Sequence, residues 1–111
     1  MELNKAQSEI NSLYLETLAW VDKTYGNTYF ASAIHINGEV TISIPLQYGY
    51  GNQDEYEALK ALVGSGLVPA SRNNLRITLE ELGVDYYRSY ATAKKAEAKR
   101  LGLSAKQIRI N

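Results

Sequence analysis

The segment Thr28–Gly51, TYFASAIHINGEVTISIPLQYGYG, decides the fold of this chain. Two runs rich in β-branched and aromatic residues flank Asn37-Gly38, and both of these residues tolerate the positive φ of a type I′ turn. Thr28–Asn37 and Glu39–Leu46 are therefore predicted to form an antiparallel hairpin. Side chains alternate along both strands, so that one face of the hairpin is apolar and the other is mixed.

The residues before the hairpin predict a helix and a third strand. Apolar side chains three or four residues apart indicate a short helix over residues 3–13. Tyr14–Lys23 fits both a helical period and strand alternation, and we interpret it as a strand. The turn Thr24-Tyr25-Gly26-Asn27 then leads into the hairpin and completes a three-stranded antiparallel meander.

The residues after the hairpin predict mainly helices. In chain order they are a helix capped by Asn52 that ends at Gly64 or Gly66, a helix or a strand within residues 71–83, a strand at Val84–Tyr90, a helix at Thr92–Leu101 and an unassigned segment at 103–111. We therefore predict an α+β fold, in which an antiparallel meander of three or four strands carries helices on one face.

Length and composition limit the classes of protein. The 111 residues fit one α+β domain over residues 1–111. The absence of Cys excludes disulfides, thiolate zinc sites and a Cys nucleophile. No apolar run approaches about 18 residues, and the N-terminus has no signal-peptide pattern, so we expect a cytoplasmic protein without a membrane partner.

Charge is divided unevenly along the chain. Residues 1–85 contain five Lys or Arg and eleven Asp or Glu, whereas residues 86–111 contain seven and one, so that charges of −6 and +6 cancel. Such a division is typical of a basic segment that binds a partner, and also of a basic segment that packs beside an acidic one.

Catalytic patterns are sparse. The single His35 has no Cys and no adjacent carboxylate in the sequence, which disfavours a metal site. Neighbours in a helix point in different directions, so Asp54-Glu55 and Glu80-Glu81 form no acid–base pair, and we expect both pairs at the surface. We predict a protein that is not an enzyme and needs no cofactor or metal.

Tyrosine is overrepresented, with nine residues in the chain. Several of them lie near the predicted junction between strand and helix, and tyrosines are enriched at binding surfaces. We predict a partner-binding surface made of Tyr48, Tyr50, Asp54, Glu55 and Glu57. Its acidic residues suit a host protein or nucleoprotein complex with a basic groove.

A second hypothesis assigns binding to the C-terminal part. Basic residues concentrate there, and tyrosines can stack on bases. The predicted nucleic-acid-binding residues are Arg88, Tyr90, Lys94, Lys95, Lys99 and Arg100. Unpaired strand edges also predict self-association as a homodimer through a sheet edge.

The order helix, three-stranded meander, helix resembles the double-stranded-RNA-binding domain over residues 3–64. INGE at 36–39 matches the hairpin of that family, and GYG at 49–51 matches its glycines before the second helix. The family places phosphate-binding lysines at the start of this helix. Gln53, Asp54 and Glu55 stand there, so the resemblance implies the fold and not RNA binding.

A longer resemblance rests on Gly26–Ala31, Ile36–Glu39 and Pro45–Gly51, the pattern GNTYFA…INGE…P-x-QYGYG. This pattern looks like that of a family of short phage and mobile-element proteins. The resemblance implies a small viral binding protein that acts in the host cytoplasm. It would engage a host protein or inhibit a defence complex, as an anti-CRISPR-like protein does.

Overall fold

The computed structural model describes residues 10–70, 72–105 and 107–108, which form an α+β fold around one mixed sheet. The strands are β1 (Ser12–Asp22), β2 (Asn27–Ile36), β3 (Glu39–Tyr48), β4 (Asp85–Thr92) and the two-residue β5 (Gln107–Ile108). The helices are α1 (Gln53–Gly64), α2 (Leu75–Glu81) and α3 (Lys95–Leu101). The strands lie in the order β4-β1-β2-β3-β5.

The predicted meander is confirmed for β1, β2 and β3, which pair in antiparallel fashion. Asn37 and Gly38 join β2 to β3 with φ values of 52° and 87°, as a type I′ turn requires. Between β1 and β2, the register places Trp20 opposite Tyr29. The turn between β1 and β2 therefore sets their register, whereas the pairing of β2 with β3 shifts at two places along the hairpin.

The prediction of a wholly antiparallel sheet is wrong, because β4 pairs with β1 in parallel, from Ser12 opposite Asp85 to Ala19 opposite Thr92. Parallel strands need a crossover connection, and α1 and α2 supply it between β3 and β4. Alternation of side chains identifies a strand but carries no information about its direction. The sequence pattern alone therefore left the orientation of β4 open.

The prediction that helices cover one face is also wrong. The connection from β3 to β4 crosses the sheet in one direction, and the connection from β4 to β5 crosses it in the other. Crossovers of the same hand that run in opposite directions must use opposite faces. The sheet therefore has α1 and α2 on one face and α3 on the other, and the resemblance to the double-stranded-RNA-binding domain is not confirmed.

The face beneath α1 and α2, here called the core face, holds the main hydrophobic core. Its strands contribute large buried apolar side chains, and both helices add buried leucines. The members that are at most 2% exposed are Leu13, Leu15, Phe30, Ile34, Ile42, Ile44, Ala58, Ala61, Leu62, Val68, Leu75 and Leu79. This face matches the apolar one predicted from the alternation in the hairpin.

The opposite face, here called the aromatic face, accepts α3 through small residues. Ala31 and Ala33 are fully buried, although they point away from the core face. Gly102 ends α3 so close to the sheet that a Cβ there would lie 2.9 Å from the Pro45 Cα and 3.1 Å from the Ala31 Cβ. A glycine is therefore needed at this position for close packing, and its φ of −68° is one that other residues adopt.

The remaining segments are assigned as follows. Residues 75–81 of the ambiguous stretch are helical, and the Asn74 side chain accepts a hydrogen bond from the Ile77 amide at 2.9 Å. Asn52 precedes α1, but its side chain makes no capping hydrogen bond. The predicted helix over 3–13 falls mostly outside the described residues, and its last two positions belong to β1. Of the unassigned segment, residues 107–108 form β5.

Candidate nucleic-acid interface

The three acidic residues predicted to contact a partner are buried on the core-face side of the sheet. Asp54, Glu55 and Glu57 are 1%, 8% and 5% exposed. The expectation that the Asp54-Glu55 pair lies at the surface is therefore wrong, whereas Glu80 and Glu81 are exposed. The sequence did not reveal this because acidic residues in a first helical turn are usually solvated.

Asp54 is held by a buried hydrogen-bond network that joins α1 to β4 and β1. Its two carboxylate oxygens accept hydrogen bonds from Arg88 at 2.8 and 2.9 Å, and one of them also accepts from the Thr17 hydroxyl at 2.7 Å. Arg88 donates a further bond to the Gly51 carbonyl at 3.0 Å. The hydrogen bond to Asp54 raises the pKa of Arg88, so this guanidinium stays charged and fixed.

Glu55 forms a second buried contact with α2 and β4. It accepts hydrogen bonds from the Tyr86 hydroxyl at 2.7 Å and from the Arg76 guanidinium at 2.9 Å. Burial, followed by the hydrogen bond to Glu55, raises the pKa of Tyr86 above its ordinary value. Both acidic residues thus stabilise the packing of α1, which leaves the tyrosines as the exposed part of the predicted surface.

Tyr48 and Tyr50 do lie at the surface, at 58% and 66% exposure. They continue a row of rings on the aromatic face that starts at Trp20 and Tyr29. Successive ring centroids are 5.5, 5.9 and 6.2 Å apart. We call Trp20, Tyr29, Tyr48 and Tyr50 the main aromatic row.

Gly49 lets the chain turn closely between the two exposed tyrosines. A Cβ at this position would lie 2.7 Å from the Phe30 ring and 2.9 Å from the Gln53 side chain. These distances are too short for a Cβ atom, so a larger residue would push the turn outward. The glycine therefore keeps Tyr50 near Tyr48 at the end of the row.

Positive charge lies beside the other end of the main aromatic row. The Lys95 ammonium is 5.0 Å from the centre of the Trp20 ring, within the range of a cation–π contact. An open groove of about 650 Å³ runs along this contact, with Lys23, Lys94 and Lys95 among its lining residues. Glu97 also lines it, and its carboxylate accepts the Lys94 amide hydrogen at 3.1 Å.

The structure divides the predicted nucleic-acid-binding residues into two groups. Arg88 and Tyr90 lie on the core-face side, where the guanidinium is 4.9 Å from the ring and paired with Asp54. Lys94, Lys95, Lys99 and Arg100 are exposed on or next to α3, on the aromatic face. Alternation along β4 places Arg88 and Tyr90 on the core face. The four other residues follow β4 and lie on or next to α3, which packs on the opposite face.

His35 lies on the mixed face, as predicted, and its Nε2 is 2.9 Å from a carboxylate oxygen of Glu16. The sequence did not reveal this neighbour because it comes from β1. Among the described residues, no group of three or more His, Cys, Asp or Glu side chains could hold a metal ion.

No protein-family model, curated protein or solved structure matches this chain. Within the part of the chain that the structure describes, no helix has the length and apolar character needed to cross a bilayer. The function must therefore be inferred from the geometry of the site.

Sequence reasoning missed Trp20 and Tyr29 as site residues. A usable signal was present, because the four-residue turn at 23–26 sets the register that places these two rings opposite each other. The hairpin register similarly places Tyr29 opposite Tyr48. Counting outward from the turn at 23–26 pairs Trp20 with Tyr29. Counting from Asn37-Gly38 would pair Tyr29 with Leu46, because two register shifts in the hairpin are needed to bring Tyr48 opposite Tyr29.

Proposed function

We propose that this protein binds single-stranded nucleic acid on its aromatic face. The observation that carries the proposal is the main aromatic row with the Lys95 ammonium 5.0 Å from the Trp20 ring. Proteins that bind single strands combine aromatic side chains, on which bases stack, with cations that attract the phosphates. The aromatic face presents both groups side by side.

Stacking on protein rings requires nucleobases whose flat surfaces are accessible, which favours single strands over duplexes. In a duplex the flat surfaces of the bases are covered by their neighbours, so protein rings cannot stack on them. The exposed tyrosines and the partly exposed tryptophan offer flat or edge contacts that only unpaired bases can use. Stacking is also tolerant of sequence, since every base has a π-face.

Charge supports the same surface. Lys94, Lys95, Lys99 and Arg100 are exposed near the aromatic row, whereas Asp54, Glu55 and Glu57 are buried on the other side of the sheet. The neutral total charge therefore does not describe the charge of the aromatic face. Binding through these cations should weaken steeply as salt rises.

The test is a titration of the purified chain with labelled single- and double-stranded DNA and RNA at low and moderate salt. We expect binding to single strands, together with quenching of the fluorescence of Trp20, the only tryptophan. Trp20→Ala and Tyr48→Ala should each weaken binding by about 1–3 kcal/mol. Tyr56→Ala is the matched control, because Tyr56 is equally exposed but lies on α1. The proposal fails if low-salt binding is absent or if the control loses as much affinity as the row variants.

We propose the binding of a host protein or nucleoprotein complex as the second candidate. Tyr48 and Tyr50 favour it, because adjacent exposed tyrosines are enriched at protein interfaces. Asp54, Glu55 and Glu57 are buried, so they are not part of this surface. A pull-down from a host lysate treated with nuclease separates the candidates: capture that is lost with Tyr50→Ala but survives nuclease favours a protein partner.

A further inference from the structure

The aromatic face carries a second row of rings at the opposite end of the strands. Tyr87, Tyr14 and His35 lie in register on β4, β1 and β2. The Tyr14 ring centroid is 5.3 Å from that of Tyr87 and 4.8 Å from that of His35, and the planes are tilted by only 36° and 34°. The rings are therefore tilted against one another, at centroid separations typical of aromatic pairs.

Polar contacts hold this second row in place. The Tyr14 hydroxyl is 2.7 Å from the Ser89 hydroxyl, and His35 Nε2 is 2.9 Å from Glu16. The two inner rings are half-buried, so little side-chain freedom remains to be lost on binding. The row is therefore an ordered platform rather than a set of mobile side chains.

The stack ends at Tyr87, on the side of the sheet where β4 is the outermost described strand. Tyr87 is 67% exposed, although its ring belongs to the stack. Among the described residues, Tyr14 provides its only ring contact. Tyr87 therefore offers a π-face on which one further planar ring can stack.

We propose that Tyr87 is a second base-stacking position, and that one nucleic-acid strand occupies both Tyr87 and the main aromatic row. This inference rests on the proposed function. It commits to a nucleobase because a planar ring can extend the second row at the exposed Tyr87, and because Lys95 beside the main aromatic row supplies a cation for the phosphates. Helix α3 packs on this face against β1, β2 and β3, and its exposed Lys95 and Lys99, four residues apart, share one helical side.

The separation of the two rows sets the length of strand that can reach both. Tyr14 and Trp20 are six residues apart on β1, which corresponds to about 20 Å along the strand. About four stacked nucleotides span only about 14 Å at about 3.4 Å each. A short oligonucleotide should therefore contact one row, and a longer one both.

The experiment compares single-stranded DNA and RNA probes of about 4 and about 12 nucleotides, within the usual range of site sizes. The full chain is measured as wild type and as Trp20→Ala, Tyr87→Ala, Tyr87→Phe and the control Tyr56→Ala. We expect Trp20→Ala to weaken binding of both probe lengths. Tyr87→Ala should weaken only the longer probe, by about 5- to 150-fold, which is the change expected for one lost stacking contact. Tyr87→Phe should retain the affinity, because it keeps the ring.

Three results would overturn the inference. One is that Tyr87→Ala binds the longer probe as tightly as Tyr56→Ala does. If Trp20→Ala still binds weakly in that case, the proposed function stands and only the role of Tyr87 is overturned. Another is that Tyr87→Ala weakens both probes equally, which would mean that Tyr87 is not a separate position that only a longer strand reaches. The third is that the wild type binds neither probe, which overturns the proposed function as well.

Discussion

The two faces of the sheet use the same kinds of residue in opposite ways. On the core face, charged groups are buried and paired, as in the contact of Asp54 with Arg88 at 2.8 Å. On the aromatic face, cations remain exposed and lie beside rings, as Lys95 does beside Trp20. Charge on the core face therefore organises the fold, whereas charge on the aromatic face remains available to a ligand.

The difference follows from the elements that cover each face. Helix α1 spans 12 residues and buries an apolar side against the strands, together with the acidic groups in its first turn. Helix α3 has seven residues and buries only Ala98. A short helix over alanines leaves the large side chains at both ends of the aromatic face uncovered.

The largest expected effect comes from breaking the buried ion pair on the core face. Arg88→Ala should lower the free energy of unfolding by about 3–5 kcal/mol, because it leaves the Asp54 carboxylate buried without its main partner. Urea denaturation of the wild type and the variant would measure this loss. Arg100→Ala is the control, since Arg100 is exposed on α3 and its truncation should cost about 0.5 kcal/mol or less. Equal losses in the two variants would contradict the structural role of Arg88.

The next effect concerns the seating of α3 on the aromatic face. Gly102→Ala should cost about 1–3 kcal/mol, because the added methyl group meets the backbone of Ile44 and Pro45 at 3.0 and 2.9 Å. Thermal unfolding of this variant should be compared with that of Leu103→Ala. Leu103 is 59% exposed, so its truncation should change stability by about 0.5 kcal/mol or less. A neutral Gly102→Ala would show that α3 packs less closely than described.

The hydrogen bond between Tyr86 and Glu55 should contribute a smaller amount, about 1 kcal/mol, to the free energy of unfolding. Its contribution can be recognised by its dependence on pH. The pKa of Tyr86 is raised in the folded state, so the stability due to its neutral form is present below about pH 10 and lost as pH rises above it. Tyr86→Phe should be less stable than the wild type near neutral pH and lose less stability between about pH 9 and 11. Tyr87→Phe, which removes a phenol from the other side of β4, is the control. Parallel pH profiles for wild type and Tyr86→Phe would contradict the assignment.

The smallest effect is a change of salt dependence rather than of stability. Lys95→Ala should reduce the slope of log affinity against log salt by about one, if its ammonium neutralises one phosphate. Lys60→Ala is the matched control, because Lys60 is also in cation–π range of an exposed ring, Tyr56, but lies on α1. Anisotropy titrations at several salt concentrations would measure both slopes. Identical slopes for the two variants would show that Lys95 does not contact a phosphate.

Much of the fold follows from local patterns. Asn37-Gly38 requires positive φ at two positions, which fixes the turn that joins β2 to β3. Tyr48 and Tyr50 flank Gly49 where β3 ends, as the sequence pattern predicts. These features depend on residues that are close together in the sequence, so the sequence alone determines them.

Tertiary structure decided the direction of β4, the face on which α3 packs, and which charged side chains are buried or exposed. The direction of β4 depends on how the chain returns from β3, and alternation is the same for parallel and antiparallel strands. Asp54 and Lys95 both look solvated in sequence, and only the crossover onto opposite faces buries one and exposes the other. The second aromatic row arises in the same way, because the pairing of β4 with β1 aligns Tyr87 with Tyr14, which no local pattern connects.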